Sequence, residues 1–260
     1  MVTAATRQQI EIPYPETDDP TLVLRTGPCR VRFSASEGTA WVGGTYEDPT
    51  GALPLQARGG PTTVLSQSFE PAAFTGMALP RLDLAFARSR PFALEIQTGA
   101  GENAFDLGGL PLSRVSVKAG AGRYEIDFAT PNPTAMATLE LSAGAGAIAA
   151  KHLANANFTT LRFGGGVAAC TLDFSGQLLR DASARIDAGL GSVDITVPAL
   201  TPARVVTKAF ASARRSSGGF VSQGDTYYTR PGLQGAHPLL DIEVWLAFGA
   251  LNLATSSLGV

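Results

Sequence analysis

Between residues 94 and 195 the chain repeats one short pattern five times: apolar and polar residues in alternation, a glycine-rich turn, then a second short apolar strand. The turns are Gly99-Ala100-Gly101, Gly120-Ala121-Gly122, Gly144-Ala145-Gly146, Gly164-Gly165-Gly166 and Gly189-Leu190-Gly191. Counted on the last glycine of each, the intervals are 21, 24, 20 and 25 residues. A period of that size marks a solenoid, whose units cannot bury an apolar face alone and must stack on one another.

Seven and five residues before the last glycine stand Leu94 and Ile96, Val115 and Val117, Leu139 and Leu141, Thr159 and Leu161, and Ala184 and Ile186. The positions between and after them hold polar residues: Glu95 and Gln97, Ser116 and Lys118, Glu140 and Ser142, Thr160 and Arg162, Arg185 and Asp187. A period of two means a half-buried strand rather than a helix. Because the register recurs, like faces lie above one another, with an apolar column inside and a polar ladder outside. The arrangement predicts an all-β chain wound as a single-stranded parallel β-helix of about 20–25 residues per coil.

Glycine at the corners has a steric cause, because a tight bend between stacked strands favours positive φ and leaves little room for a Cβ. Charges fit the stack as well. Glu102 falls beside Arg123, and Asp106, Asp127 and Lys151 share one column in which the lysine offsets two like charges. Such ladder pairs contribute at most about 1 kcal/mol each, enough to bias register but not to hold the fold.

The 260 residues are 45% hydrophobic and only 16% charged, against roughly 25% charged in ordinary soluble domains. One continuous body, 1–260, is expected: an N-terminal cap with irregular coils over 1–92, regular coils over 93–200, and C-terminal coils and cap over 201–260. The formal net charge is −2. The only basic pair, Arg214-Arg215, reads as a solvated loop, which argues against nucleic acid as a partner. No run of 18 apolar residues occurs, and Met1 to Ile10 lacks the apolar core of a signal peptide. The expectation is a chain that does not itself insert into a membrane, cytoplasmic or held at a membrane by a partner, or else a soluble part of something longer. Cys29 and Cys170 read as buried reduced thiols.

The ends continue the pattern less regularly. Thr21 to Ser34 reads as a degenerate coil, with Leu22 and Leu24, a bend at Gly27-Pro28, then Val31 and Phe33. Residues 43–91 suit an irregular β cap or widened coils. Leu240, Ile242, Val244, Leu246 and Phe248 alternate before Gly249, with Trp245 among the outward positions, and Leu251 and Leu253 follow. Open solenoid ends are sheet edges, so an uncovered one invites end-to-end association.

The order of the opening Leu22 to Phe33 unit, "PFALEIQTGAGENAFDLGGLPLSRVSVKAGAGRYEIDF", "GGFVSQGDTYYTRPG" and "LLDIEVWLAFGALNL" resembles the toast-rack, LiaF-like group of bacterial β-solenoid domains, relatives of adhesin-like β-helix domains. The likeness covers nearly the whole chain, most specifically Leu94 to Phe128. It implies a right-handed parallel β-helix, a bacterial origin, and a part in cell-envelope stress sensing or protein contact. LiaF-like proteins carry transmembrane helices ahead of this domain, which this sequence does not. The family supplies no catalytic residues to carry over.

Many β-helix enzymes act on polysaccharides through converging carboxylates, so Asp106, Asp127, Asp173 and Asp194 are candidates. They follow their turns at different offsets, which favours a solvated ladder over a site. His152 and His237 share no metal-ligand spacing with each other or with either cysteine, and no metal or cofactor is expected. The glycine turns run into strands rather than a helix N-terminus, so they are not phosphate loops. Phe220, Tyr227, Tyr228 and Trp245, near the C-terminus, form the candidate interaction surface; the competing reading has them cap the apolar column against water. The expected function is a non-enzymatic interaction or scaffold module that meets a protein partner, or another copy, through an end or face. A polysaccharide-binding or polysaccharide-cleaving protein is the alternative, and a soluble relay in an envelope-stress system the third reading.

Overall fold

The computed structural model describes residues 5–68, 78–209 and 212–256. Its strands form one 17-stranded sheet wound into a β-solenoid. In chain order the N-terminal part gives β1 (Thr6–Ile12), β2 (Thr21–Thr26), β3 (Arg30–Ser36), β4 (Val42–Asp48), β5 (Leu55–Arg58), β6 (Thr62–Gln67) and β7 (Arg81–Ala87). The regular part gives β8 (Phe92–Asp106), β9 (Leu112–Asp127), β10 (Met136–Lys151), β11 (Phe158–Asp173) and β12 (Ala182–Pro198). The last part gives β13 (Ala203–Ala209), β14 (Ser212–Ser217), β15 (Val221–Gln223), β16 (Thr226–Tyr228), the four-residue helix α1 (Arg230–Leu233) and β17 (Leu240–Ser256).

Strands β8 to β12 and β17 are 15 to 17 residues long and pair in parallel, in that order. The glycine triplets do not end these strands, as the sequence suggests they should. Each is a corner inside one continuous strand, dividing it into a first arm and a second arm. In the first arm Leu94, Val115, Leu139, Leu161, Ala184 and Ile242 stack in register, all buried. Ile96, Val117, Leu141, Phe163, Ile186 and Val244 form the next column inward. In the second arm Phe105, Ile126, Ala150, Leu172, Ile195 and Leu253 do the same. Burying such side chains contributes roughly 1.5–3 kcal/mol each, which makes these columns the main stabilising element.

At the corner, Gly101, Gly122, Gly146, Ala168, Gly191 and Gly249 occupy one column. The fourth member corrects the sequence count: Gly166 lies two positions early, with Gly164 opposite Ser142 and Gly165 opposite Ala143. Leu161 and Phe163, not Thr159 and Leu161, therefore take the interior places, and Thr159 is exposed. A slip of two residues preserves which side chains face inward, which is why the alternation looks consistent in either alignment.

The return side of the coil is held by asparagines that periodicity does not reveal. Asn132 is buried; its Oδ1 accepts from the Leu112 N–H (3.2 Å) and the Thr134 N–H (2.9 Å), and its Nδ2 donates to the carbonyls of Leu112 (2.9 Å) and Ala156 (3.2 Å). Asn155 donates to the Phe128 carbonyl and accepts from the Gln177 N–H, and Asn157 donates to the carbonyls of Asn132 and Thr134. Backbone polar groups of the connections, which would otherwise lack partners, are thereby satisfied across successive coils.

Both ends are permuted relative to chain order. The first coil, β2 and β3, lies between β8 and the later strands β6 and β7, all in parallel. β5 covers β6, β4 covers β7 and β1 covers β4, each antiparallel. At the other end β17 inserts between β12 and the earlier pair β13 and β14. Arg214 and Arg215 thus sit in a strand, not a loop. One apolar cluster runs through the core from Ile10 to Leu253. Cys29 and Cys170 are buried and not in a disulfide.

Candidate interaction surface

The four aromatic residues singled out by the sequence do not form one patch. Phe220 and Tyr227 are half-buried and pack on the core. Tyr227 and Tyr228 belong to the β15–β16 hairpin, with Tyr228 opposite Arg204 and Val221. Phe220 and Tyr227 thus lie against the core, and Tyr228, next in sequence, is half-buried. Trp245 is separate, 40% exposed on the outer face of the first arm. The Lys208 ammonium lies 4.4 Å and the Arg185 guanidinium 5.4 Å from its ring centre. Both cations are also ion-paired, Lys208 to Glu243 (2.6 Å) and Arg185 to Asp187 (2.8 Å). The Lys208 hydrogen bond holds the Glu243 carboxyl below its usual range.

Two residues that sequence reasoning passed over are more exposed: Phe248 at 57% and Leu190 at 51%. The alternation places Phe248 inward after Leu246, but the corner intervenes, and the corner middle residues Ala100, Ala121, Ala145, Leu190 and Phe248 are exposed. In register those middle residues run Ala100, Ala121, Ala145, Val167, Leu190 and Phe248, small at one end of the solenoid and large at the other. Between Trp245 and Phe248 lies a groove of about 530 Å³ whose lining includes Gly165, Ala188 and Gly189. The groove exists because glycine and alanine on the neighbouring rungs leave the aromatic walls standing above a low floor. The enlarging corner residue is a legible signal only once Gly249 is known to stack on Gly191.

The candidate carboxylates are distributed rather than gathered. Asp106, Asp127 and Lys151 share one column, as expected, and Glu102 pairs in register with Arg123. Lys151 makes its hydrogen bond to Glu125 while standing opposite Asp127, and His152 Nδ1 lies 2.6 Å from Asp127. Asp173 accepts from the backbone N–H and the hydroxyl of Ser175, and Asp194 from Asn252. Asp181, bonded by His237 and the Leu239 N–H, is held below the usual carboxylate range. Among the described residues no group of three His, Cys, Asp or Glu side chains is placed to hold a metal ion. Nor, among them, is any helix long and apolar enough to cross a membrane.

The family model described as the N-terminal domain of toast_rack, DUF2154, matches residues 4–149. The chain belongs to the toast-rack family. No curated protein matches it. Among solved structures, a candidate cell adhesion protein from Clostridium sporogenes is similar over 97% of this chain and 100% of that one, with 14% identity and a TM-score of 0.50. A candidate lipid binding protein from Parabacteroides distasonis covers 96% of each chain at 10% identity and a TM-score of 0.41. A candidate adhesin from Bacteroides fragilis covers 97% of each at 8% identity and a TM-score of 0.30. At these identities the first likeness is one of fold; the other two carry no further weight.

Proposed function

We propose that this toast-rack chain is a non-enzymatic scaffold that presents a rigid apolar ridge to a protein partner. The observation that carries the reading is the exposure of Leu190 and Phe248 in one corner column, beside the groove walled by Trp245. Large apolar side chains standing clear of a monomer's surface mark contact sites, and a tryptophan at the rim is a common anchor. The solenoid supplies the rigidity, since the ridge rides on strands paired on both sides.

The test is retention of protein from a bacterial envelope extract by the immobilised chain, compared with a Leu190→Ser/Phe248→Ser variant. The variant is expected to melt at an unchanged temperature and to lose at least ~10-fold of the retention, the effect of removing about 1.4 kcal/mol of contact. Equal retention by the two chains overturns the reading. So does binding of soluble polysaccharide with no protein retained, which would restore the polysaccharide alternative.

A further inference from the structure

The two ends of the solenoid are stepped, and the steps are complementary. Beyond β8 the second arm continues outward through β3, β7, β4 and β1, four strands. Beyond β17 it continues through β14 alone, and among the described residues the far edge of β14 is unpaired. The first arm is built the opposite way. On its half remote from the corner, two strands, β2 and β6, extend the N-terminal side, because β5 pairs only with the corner-side residues Val64–Gln67. On that same remote half three strands, β13, β16 and β15, extend the C-terminal side, because β16 pairs only with Arg204–Val206. Where one end stands high the other is low: among the described residues, the strands between the β17 of one copy and the β8 of a copy stacked on it number five on the second arm and on the remote half of the first arm, and four on the corner-side half of the first arm.

We propose that copies of this chain stack head to tail, with β14 of one pairing in parallel with β1 of the next to continue the second-arm sheet from molecule to molecule. Direction permits it. β14 is parallel to β17, and β1, reached from β7 through two antiparallel steps, points the same way as the solenoid strands. Length permits it too, with six residues in β14 and seven in β1.

Side-chain parity and the order of the columns together select a register. Arg214 and Ser216 stand in line with the inward Leu251 and Leu253, and on β1 the inward residues are the buried Ile10 and half-buried Ile12. Continuing the column of Phe105 and Leu253 places Ser216 beside Ile10, so that the outward Arg215 reaches diagonally, past Gln9, to the outward Glu11 of the next copy. Both are exposed, and neither has an ion-pair partner among the described residues of its own chain. The wider charge distribution acts in the same sense. Residues 201–260 hold five Lys and Arg against three Asp and Glu, a balance of +2, so the remainder of a chain with net charge −2 carries −4. Pairing of β14 with a second β14 would instead oppose Arg214 and Arg215 to their own copies, and like charges across a ladder are destabilising. A contact between unlike ends does not close on itself, so the product is an open row rather than a dimer.

Sedimentation velocity and negative-stain microscopy of the whole chain test this, at concentrations up to roughly 500 μM, where contacts of micromolar to millimolar affinity are populated. A ladder of species growing in the long direction is expected. Arg215→Glu and Glu11→Arg, each on an exposed strand position, should weaken association about 10-fold singly. Mixed in one chain they should restore it to within about threefold. A strict monomer at every concentration overturns the proposal, as does assembly that stops at a dimer or is indifferent to both charge changes. The Leu190→Ser/Phe248→Ser variant leaves every residue of β14 and β1 in place and should stack as the parent does, which separates this result from that for the ridge.

Discussion

A single methyl group at Gly122 has nowhere to go. Its φ is +136°, and a Cβ built there overlaps the carbonyl oxygen of Gly101 on the rung below, backbone that cannot swing aside. Gly146 meets Gly122 in the same way, so the column is a chain of mutual exclusions. Gly122→Val should therefore destabilise the fold by at least ~2 kcal/mol more than Lys118→Val on the exposed face, read as the difference in urea unfolding free energies. The buried thiols set a second residue-scale expectation. Burial, helped by the nearby Asp48 and Asp83 carboxylates, pushes the Cys29 thiol up to about 12, and burial with Asp194 raises Cys170 further. Both groups stay protonated in the folded chain while the unfolded thiols ionise near their ordinary value of 9.0. The unfolded state then binds fewer protons, so stability is retained below about pH 9 and falls as pH rises above it. The urea midpoint should drop between pH 7.5 and pH 10.5, and Cys29→Ala/Cys170→Ala should flatten that slope.

At the scale of elements, the long bent strands are periodic enough to be read directly, and the connections between them are not. The β9–β10 connection depends on Asn132, whose four hydrogen bonds tie Leu112, Thr134 and Ala156 together. Asn132→Ala removes its partner bonds to the Leu112 and Ala156 carbonyls and the Thr134 N–H, at about 1–3 kcal/mol for each group left unsatisfied, so a loss of ~2–4 kcal/mol is expected in chemical denaturation. Amide exchange should rise at Leu112 and Thr134 before it rises in the strand interiors. Nothing in the spacing of Asn132, Asn155 and Asn157 announces this ladder, because the connections differ in length and the side chains act across coils, not along one. The corner residues Leu190 and Phe248 were obscure for a related reason. An alternation of apolar residues ending in Phe248 looks like a strand that stays in one plane, and only the bend at Gly249 turns that side chain outward.

For the whole molecule, the parallel stack from β8 to β12 joins segments 21 to 24 residues apart in the chain, and its apolar cluster continues into both ends. The ends follow no such local rule. Laying β17 between β12 and β13–β14, and β2–β3 between β8 and β6–β7, buries the first and last coils and leaves earlier or later strands outside. The stepped profiles that make head-to-tail stacking possible arise from that permutation and from the partial covers, β5 and the β15–β16 hairpin.

The alternation of Leu94 to Phe105 and its four successors, with glycine at each bend, already determined a parallel solenoid with an oily interior and a polar outside. Inward and outward positions repeat every two residues, and equal units stacked at constant spacing must align them. Tertiary structure alone decided that Ala168 replaces Gly166 in the corner column, that β17 enters the stack out of turn, and that Phe248 stands in solvent. Each of these depends on which of several equally apolar partners a strand meets, a choice made by packing and backbone hydrogen bonding between segments as far apart as the 58 residues from Gly191 to Gly249.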